Sequence, residues 1–427
     1  MVDFRPFRAV RYSAAAGPPA DLICPPFDVT SPEQERMLRA RSRHNMVNLE
    51  LTEVPGEGSP ARYAEAAAAF RAWQASGILE RDATPAFYLL RQRFSSGGQD
   101  RERLGVLGVL RLEEPGTGVL VHEDTAAGAK EDRLALMRAT HANFSPLMML
   151  YRDPSGRISE TCGRALEGEP AADFKADDAQ GYALWPIEDP GAIAAIRDAL
   201  ASQPVYIADG HHRYETALAF ERERDDRPGG ASHYVMTCLI AIDDPGLVIR
   251  PYYRVVHGLD DAQLGRLRAL LERYFAAAPA TMRGTTASAL DATVAEAARG
   301  QVALVVVDGG ERPVLLRPTS AEVPAAAAAA TPAEQARAVE AHVLQELLFE
   351  PVLGDRVPAH VAYVHDGQRA LEMVASGEGQ IAFFIKGVPP RTFEAIVRAG
   401  IRLPRKSTYF DPKLPSGLVI NPLDGDL

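Results

Sequence analysis

The stretch Val205–Phe220 (VYIADGHHRYETALAF) constrains this chain more than any other. A short run of β-branched, aromatic and apolar residues stops at Asp209. Gly210 supplies the conformational freedom for an abrupt turn, and an amphipathic helix opens at His211. Strand, tight turn and helix in immediate succession belong to layered folds that mix helices and sheets. The same succession places backbone N–H donors and a partial positive charge at the turn, which suits an anion. Arg213 can bind phosphate oxygens through two parallel hydrogen bonds, and His211 and His212 add donors, one of them able to hold a proton near neutral pH. Asp209 could hold a metal ion such as Mg²⁺ or orient a histidine. The alternative is an incidental histidine pair beginning a helix, with Asp209 as its cap.

The rest of the chain agrees with an α/β (mixed α+β) architecture in three successive segments. Residues 1–115 are read as an N-terminal α/β segment. In it Asp21–Val29 is a short strand, Ser31–Ala40 a helix with Ser31 as N-cap and Pro32 behind it, and Ala61–Gly77 a second helix. Ala86–Phe94 and Leu104–Leu112 form a strand pair. Residues 116–258 hold the helix Glu131–Ala142, the strands Leu147–Tyr151 and Val205–Ala208, the helix from His211, and a strand pair Tyr234–Ile242 and Leu247–Val256 turning at Asp243–Gly246. Residues 259–427 alternate helices (Ala262–Phe275, Ala287–Ala298, Pro332–Phe349, Gly367–Ser376, Pro390–Ala399) with strands (Val302–Val307, Val361–Val364, Ile381–Ile385). Ala325–Ala330 is the one low-complexity stretch and reads as a linker or helix end.

Two further polar clusters stand out. Val121–Pro146 packs His122, Glu123, Lys130, Arg133 and Asn143 around Gly128. A carboxylate beside a histidine can act as general base, and Lys130 and Arg133 could meet further phosphates. Alone, the segment reads more readily as a solvated loop followed by an amphipathic helix with ordinary surface charges. Lys406, Ser407 and Thr408 resemble an anion-binding turn, although no GxxxxGK precedes them, and the same segment could simply dock Tyr409 and Phe410.

Composition bounds the function classes. Of the residues, 46% are hydrophobic and 24% charged, which excludes a globally disordered or fibrous chain. The net charge of −11 opposes nucleic acid and anionic membranes as partners. Three dispersed cysteines fit a reducing compartment, and neither a signal-type apolar stretch nor a run of about 18 apolar residues is present. The expectation is a cytoplasmic protein with a small-molecule substrate and a nucleotide as partners; the oligomeric state is left open.

Taken in order, FRPFRAVRY, CPPFDV, HEDT…KEDR…NFSP, YIADGHHRYETAL and KSTYFDPKL resemble the bacterial and archaeal domain-of-unknown-function family 1015 along nearly the whole chain. Where that family commonly has a Pro-Thr-His-Arg type segment, this chain has Pro251-Tyr252-Tyr253-Arg254, so no role can rest on a histidine at Tyr253. D-G-H-H-R after a strand also resembles the phosphate-binding motif of the ParB/sulfiredoxin superfamily, implying a core of that type embedded in a larger chain. Free-serine kinases of that superfamily carry a similar motif and an upstream His-Glu pair whose glutamate is the proposed base. His122-Glu123 stands in the same order here, with a longer intervening gap. Sulfiredoxins have a cysteine where this chain has His211, so their thiol chemistry is not implied, and the helix-turn-helix of partition proteins is missing.

The resemblance implies a nucleotide-dependent phosphotransferase, a small-molecule kinase using ATP or ADP with Mg²⁺ on a hydroxylated, serine-like metabolite. Glu123, His211 and His212 would be catalytic. Asp209, Gly210, His211, His212, Arg213, Lys130 and Arg133 would bind phosphate or nucleotide. His122, Asn143, Lys406, Ser407 and Thr408 would bind substrate, and Asp209 the metal. The alternatives are a phosphatase or nucleotidase acting on a phospho-amino acid, and a non-catalytic regulatory protein that binds a nucleotide or phosphometabolite.

Overall fold

In a computed structural model the described residues are all except 1, 52–59, 124–127, 177–178, 225–228, 279–283, 310–311 and 326–330; the side chains of 60 and 128–130 also fall outside the description. The architecture is mixed α/β. The chain forms two compact units. The first comprises residues 1–121, 125–247 and 412–427, and the second residues 122–124 and 248–411.

The first unit is built on a nine-stranded sheet. Its strands are β1 (Phe4–Arg5), β2 (Phe87–Ser96), β3 (Gln99–Arg111), β4 (Val119–Leu120), β5 (Leu147–Tyr151), β6 (Ala172–Lys175), β7 (Gly181–Ile187), β8 (Val205–Asp209) and β9 (Tyr234–Ala241). Their order is β4-β8-β5-β9-β3-β2-β7-β6, with β1 also on β3. The expected pairing of β2 with β3 is present and antiparallel. Strands from both of the first two expected segments therefore share one sheet, because β-pairing joins residues far apart in sequence. The central strands are apolar throughout: every residue of β5 is buried, as are Val205, Tyr206, Ile207 and Ala208 of β8. Such runs are what a sheet covered on both faces requires.

Several local signals act as expected. Ser31 caps the helix Pro32–Arg41 in a capping box with Gln34, and Thr331 does the same for Pro332–Arg337 with Glu334. Three expectations need correction. Asp21–Val29 is not a strand: its only ladder contact is an isolated bridge from Cys24 to Ser416, because Pro25 and Pro26 deny it donors. Tyr234–Ala241 and the segment after it do not pair with each other. β9 lies between β5 and β3, whereas Val248–Arg250 pairs with Tyr409–Asp411 and Tyr253–Val256 joins the sheet of the second unit. Pro332–Phe349 is not one helix but a short helix to Arg337, a second from Glu340, and a π-turn over Leu344–Phe349. Of Ala325–Ala330, all but Ala325 lies outside the described residues.

The second unit has a six-stranded sheet in the order Phe275–Ala277, Val314–Pro318, Leu304–Asp308, Ile381–Phe384, Tyr253–Val256, Val361–Val364. Helices Ala287–Ala297 and Gly367–Ala375 pack on it around Leu290, Val294, Ala370, Val305 and Phe384. Cys24, Cys162 and Cys238 are buried free thiols. Among the described residues no helix is long and apolar enough to cross a membrane.

Candidate functional site

β8 lies between parallel β4 and antiparallel β5, and its register against β5 shifts between Ile207 and Asp209. Such a bulge re-aims the side chain at a strand end, and the one it re-aims is Asp209. Gly210 follows with φ 96° and ψ 28°, a left-handed conformation that favours glycine. A Cβ there would lie 2.6 Å from Leu147 Cδ2. Gly210 is the N-cap of the helix His211–Arg222, and no side chain caps that end. Inside the helix Tyr214 is fully buried, and its hydroxyl donates to the Glu113 carbonyl at 2.7 Å. That contact fixes the direction in which the helix end points.

Asp209 is held by two cations. Arg213 Nη2 donates to Oδ2 at 2.7 Å while its Nη1 donates to the Pro146 carbonyl at 2.7 Å. Lys413 Nζ pairs with Oδ1. Burial pushes the Asp209 carboxyl up, but Lys413 and then Arg213 outweigh it, with His211 adding to them, and the carboxyl is held well below its ordinary range. One carboxylate against two cations leaves the cluster with a net charge of +1 before either histidine is counted. Together with the helix end, this net charge is of the sign that suits an anion.

The same arrangement corrects the assignment of Mg²⁺ to Asp209. Each carboxylate oxygen already receives a cationic donor, and a divalent cation would stand against Lys413 and Arg213. No group of three or more potential ligands occurs among the described residues. The donor set does not fit Mg²⁺, and no step is derived through it.

Arg133, Asn143 and Arg213 line one polar cleft of the first unit, next to Glu50 and Thr216. At about 40 Å³ it has room for water. Arg133 is buried, pairs with Glu50 at 3.0 Å and with Asp132, and lies over the Phe27 ring. Asn143 accepts from the Met236 N–H and from Asn421. Both groups knit distant segments together. Lys130 lies in the first turn of the helix Gly128–Thr140, and its side chain is outside the described residues.

The other two sequence clusters meet in the second unit. Glu123 accepts the Lys406 backbone N–H, and His122 Nε2 lies 2.8 Å from Thr408 Oγ1. The His122 ring is fully buried, edge-on to Phe393 and Phe410, and supports the turn that carries Lys406. Lys406 has a left-handed φ of 59°, and its ammonium lies 5.0 Å from the centre of the Tyr252 ring. Ser407 is buried and donates to the Pro404 carbonyl. Beneath them Arg254 is buried, donates to the Tyr252 carbonyl and lies over the Tyr363 ring; burial lowers its guanidinium to about 10.

Lys413 and Glu50 are the members of these clusters that sequence reasoning missed. Lys413 stands within the segment FDPKL, whose regularity was visible, but nothing local links it to Asp209.

A family profile described as "Protein of unknown function (DUF1015)" matches residues 4–342. The chain belongs to that family. No curated protein matches it. Among solved structures, a free serine kinase in complex with AMP is 13% identical, with 73% of this chain and 98% of that chain covered and a TM-score of 0.36. A C-terminally truncated SbnI from Staphylococcus aureus is 12% identical, covering 74% and 87%, with a TM-score of 0.36. A conserved hypothetical protein from Pyrococcus furiosus is 14% identical, covering 71% and 91%, again at 0.36.

Proposed function

We propose that this member of the DUF1015 family is a nucleotide-dependent phosphotransferase acting on a small hydroxylated metabolite, with the turn at Gly210 as the seat for phosphoryl oxygens. The observation that supports it is the cluster of Asp209, Arg213 and Lys413 at an uncapped helix end. Its net positive charge and fixed donors suit an ATP or ADP phosphate. In phosphoryl transfer the protein's work is positioning and charge stabilisation, so a rigid, pre-paired cation cluster is the part the reaction needs most. Asp209 acts as the counter-ion that holds Arg213 and Lys413 in place. His211 and His212, in the first helical turn, supply further donors. Glu123, which the resemblance would make the proton acceptor, belongs to the second unit and accepts the Lys406 backbone N–H there.

The test is nucleotide binding and turnover across a panel of hydroxylated amino acids. Arg213→Ala and Lys413→Ala should each weaken ATP binding and lower turnover about 10²-fold or more. Unchanged nucleotide binding in both cation variants would overturn the phosphate seat. Nucleotide binding without turnover on any acceptor would instead favour a regulatory protein.

A further inference from the structure

A cavity of about 370 Å³ lies within the second unit, and none of the residues assigned above lines it. That volume falls in the range of small-molecule sites. Glu340 forms part of its wall with a side chain only 1% exposed, and its Oε1 receives no hydrogen bond. Lys386 Nζ is 3.3 Å from that oxygen, at angles that make an ion pair but not a hydrogen bond. The same ammonium donates to the carbonyls of Ala298 at 2.8 Å and Gln301 at 3.3 Å. Its donors are thus directed mainly to the end of the helix Ala287–Ala297. A buried carboxylate oxygen without a donor is costly to a fold, and Glu340 is one of the residues that line the cavity.

Other parts of the wall carry the complementary charge. Arg391 and Thr392 belong to the first turn of the helix Pro390–Arg398, whose N-cap, Pro389, offers no side-chain cap. Arg391 is exposed and makes no ion pair with a described residue. First-turn N–H groups and a guanidinium suit a carboxylate. Val339 and Val388 supply apolar wall. A ligand with only negative charge would face the Glu340 carboxylate, and one with only positive charge would face Lys386 and Arg391. A compact zwitterion with an aliphatic side chain satisfies all three parts.

We propose that this cavity binds a small aliphatic α-amino acid, its ammonium on Glu340 and its carboxylate on Arg391 and the first turn of the helix Pro390–Arg398. None of its lining residues belongs to the phosphate seat.

Calorimetry on the full chain with L-valine tests it, with 3-methylbutanoate and isobutylamine as probes carrying one charge each. L-valine should bind saturably at one site, and each half-analogue about tenfold or more weakly. Arg391→Ala, at an exposed position, should weaken valine binding by about tenfold or more, and Glu340→Gln should do the same if it folds. No saturable binding of valine, or binding by Arg391→Ala equal to the wild type's, would overturn the proposal.

Discussion

Lys413 forms an ion pair with Asp209 across 204 positions of sequence. The last segment of the chain thereby returns to the end of a central strand, and its ammonium completes the charge cluster that the strand and helix begin. Both side chains are nearly buried, at 8% and 13% exposure. The pair therefore ties the fold of the C-terminal segment to the electrostatics of the candidate phosphate seat.

Removing one partner of such a pair leaves the other charge with too little compensation. Lys413→Met should cost about 3 kcal/mol of stability, the lower end for a broken buried pair because Arg213 still holds Oδ2. Asp209→Asn in the Lys413→Met background should recover part of that loss, with a coupling of about 1 kcal/mol or more. Urea denaturation of the wild type, both single variants and the double variant completes the cycle. Strictly additive losses would show that the two charges do not act together.

The acid limb of stability follows from the same carboxyl. Its folded pKa is depressed, because Lys413 and Arg213 outweigh the upward push of burial. The stability it contributes is therefore complete above the ordinary value of 3.8 and is withdrawn as pH falls towards the lower folded value. Thermal unfolding below about pH 4 should be less steep in pH for Asp209→Asn than for the wild type. Equal slopes would mean that other carboxylates carry the acid transition.

The Gly210 turn was legible in the sequence because everything that defines it is local. The apolar run fixes the strand, glycine the left-handed turn, and the amphipathic period the helix. Lys413 was not legible, since a lysine in a Pro-punctuated tail gives no sign of the strand end it reaches. The Asp243–Gly246 turn misled for a related reason. Its residues signal a hairpin, yet Gly246 packs so closely on Glu102 that a Cβ would lie 2.2 Å from that carbonyl oxygen. The glycine serves this tertiary approach, while the chain beyond it pairs with Tyr409–Asp411. From sequence, Arg133 and Asn143 read as candidates for binding phosphate and substrate. Their partners Glu50 and Asn421 lie far away in sequence, so their role in holding segments together could not be read from the motif.

Gly210 itself gives a sharp test of the seat. Alanine would carry the left-handed strain at φ 96° and press its Cβ on Leu147, a fully buried side chain. Gly210→Ala should lose about 2 kcal/mol of stability. It should also weaken ATP binding, because the helix end can no longer meet the strand at the same angle. Thermal denaturation and nucleotide titration on one preparation separate the two effects. A variant as stable as the wild type would show that the turn relaxes without cost.

Glu340 gives the fold a second pH dependence, of opposite sign. Burial raises its carboxyl from 4.5 to about 7, and Lys386 offsets only part of that rise. Between those values the folded chain holds a proton that the unfolded chain has released. Stability is then greatest below pH 4.5 with respect to this group and declines as pH rises towards 7, by roughly 3 kcal/mol in all. Glu340→Gln keeps the shape without the titration and should flatten the decline. Lys386→Met removes the cation that opposes the burial effect, so its decline should run on to higher pH. Unfolding free energies measured from about pH 5 to 8 distinguish the three chains. A wild type whose stability stays level across that interval, matching Glu340→Gln, would show that Glu340 ionises in the folded chain as it does in water.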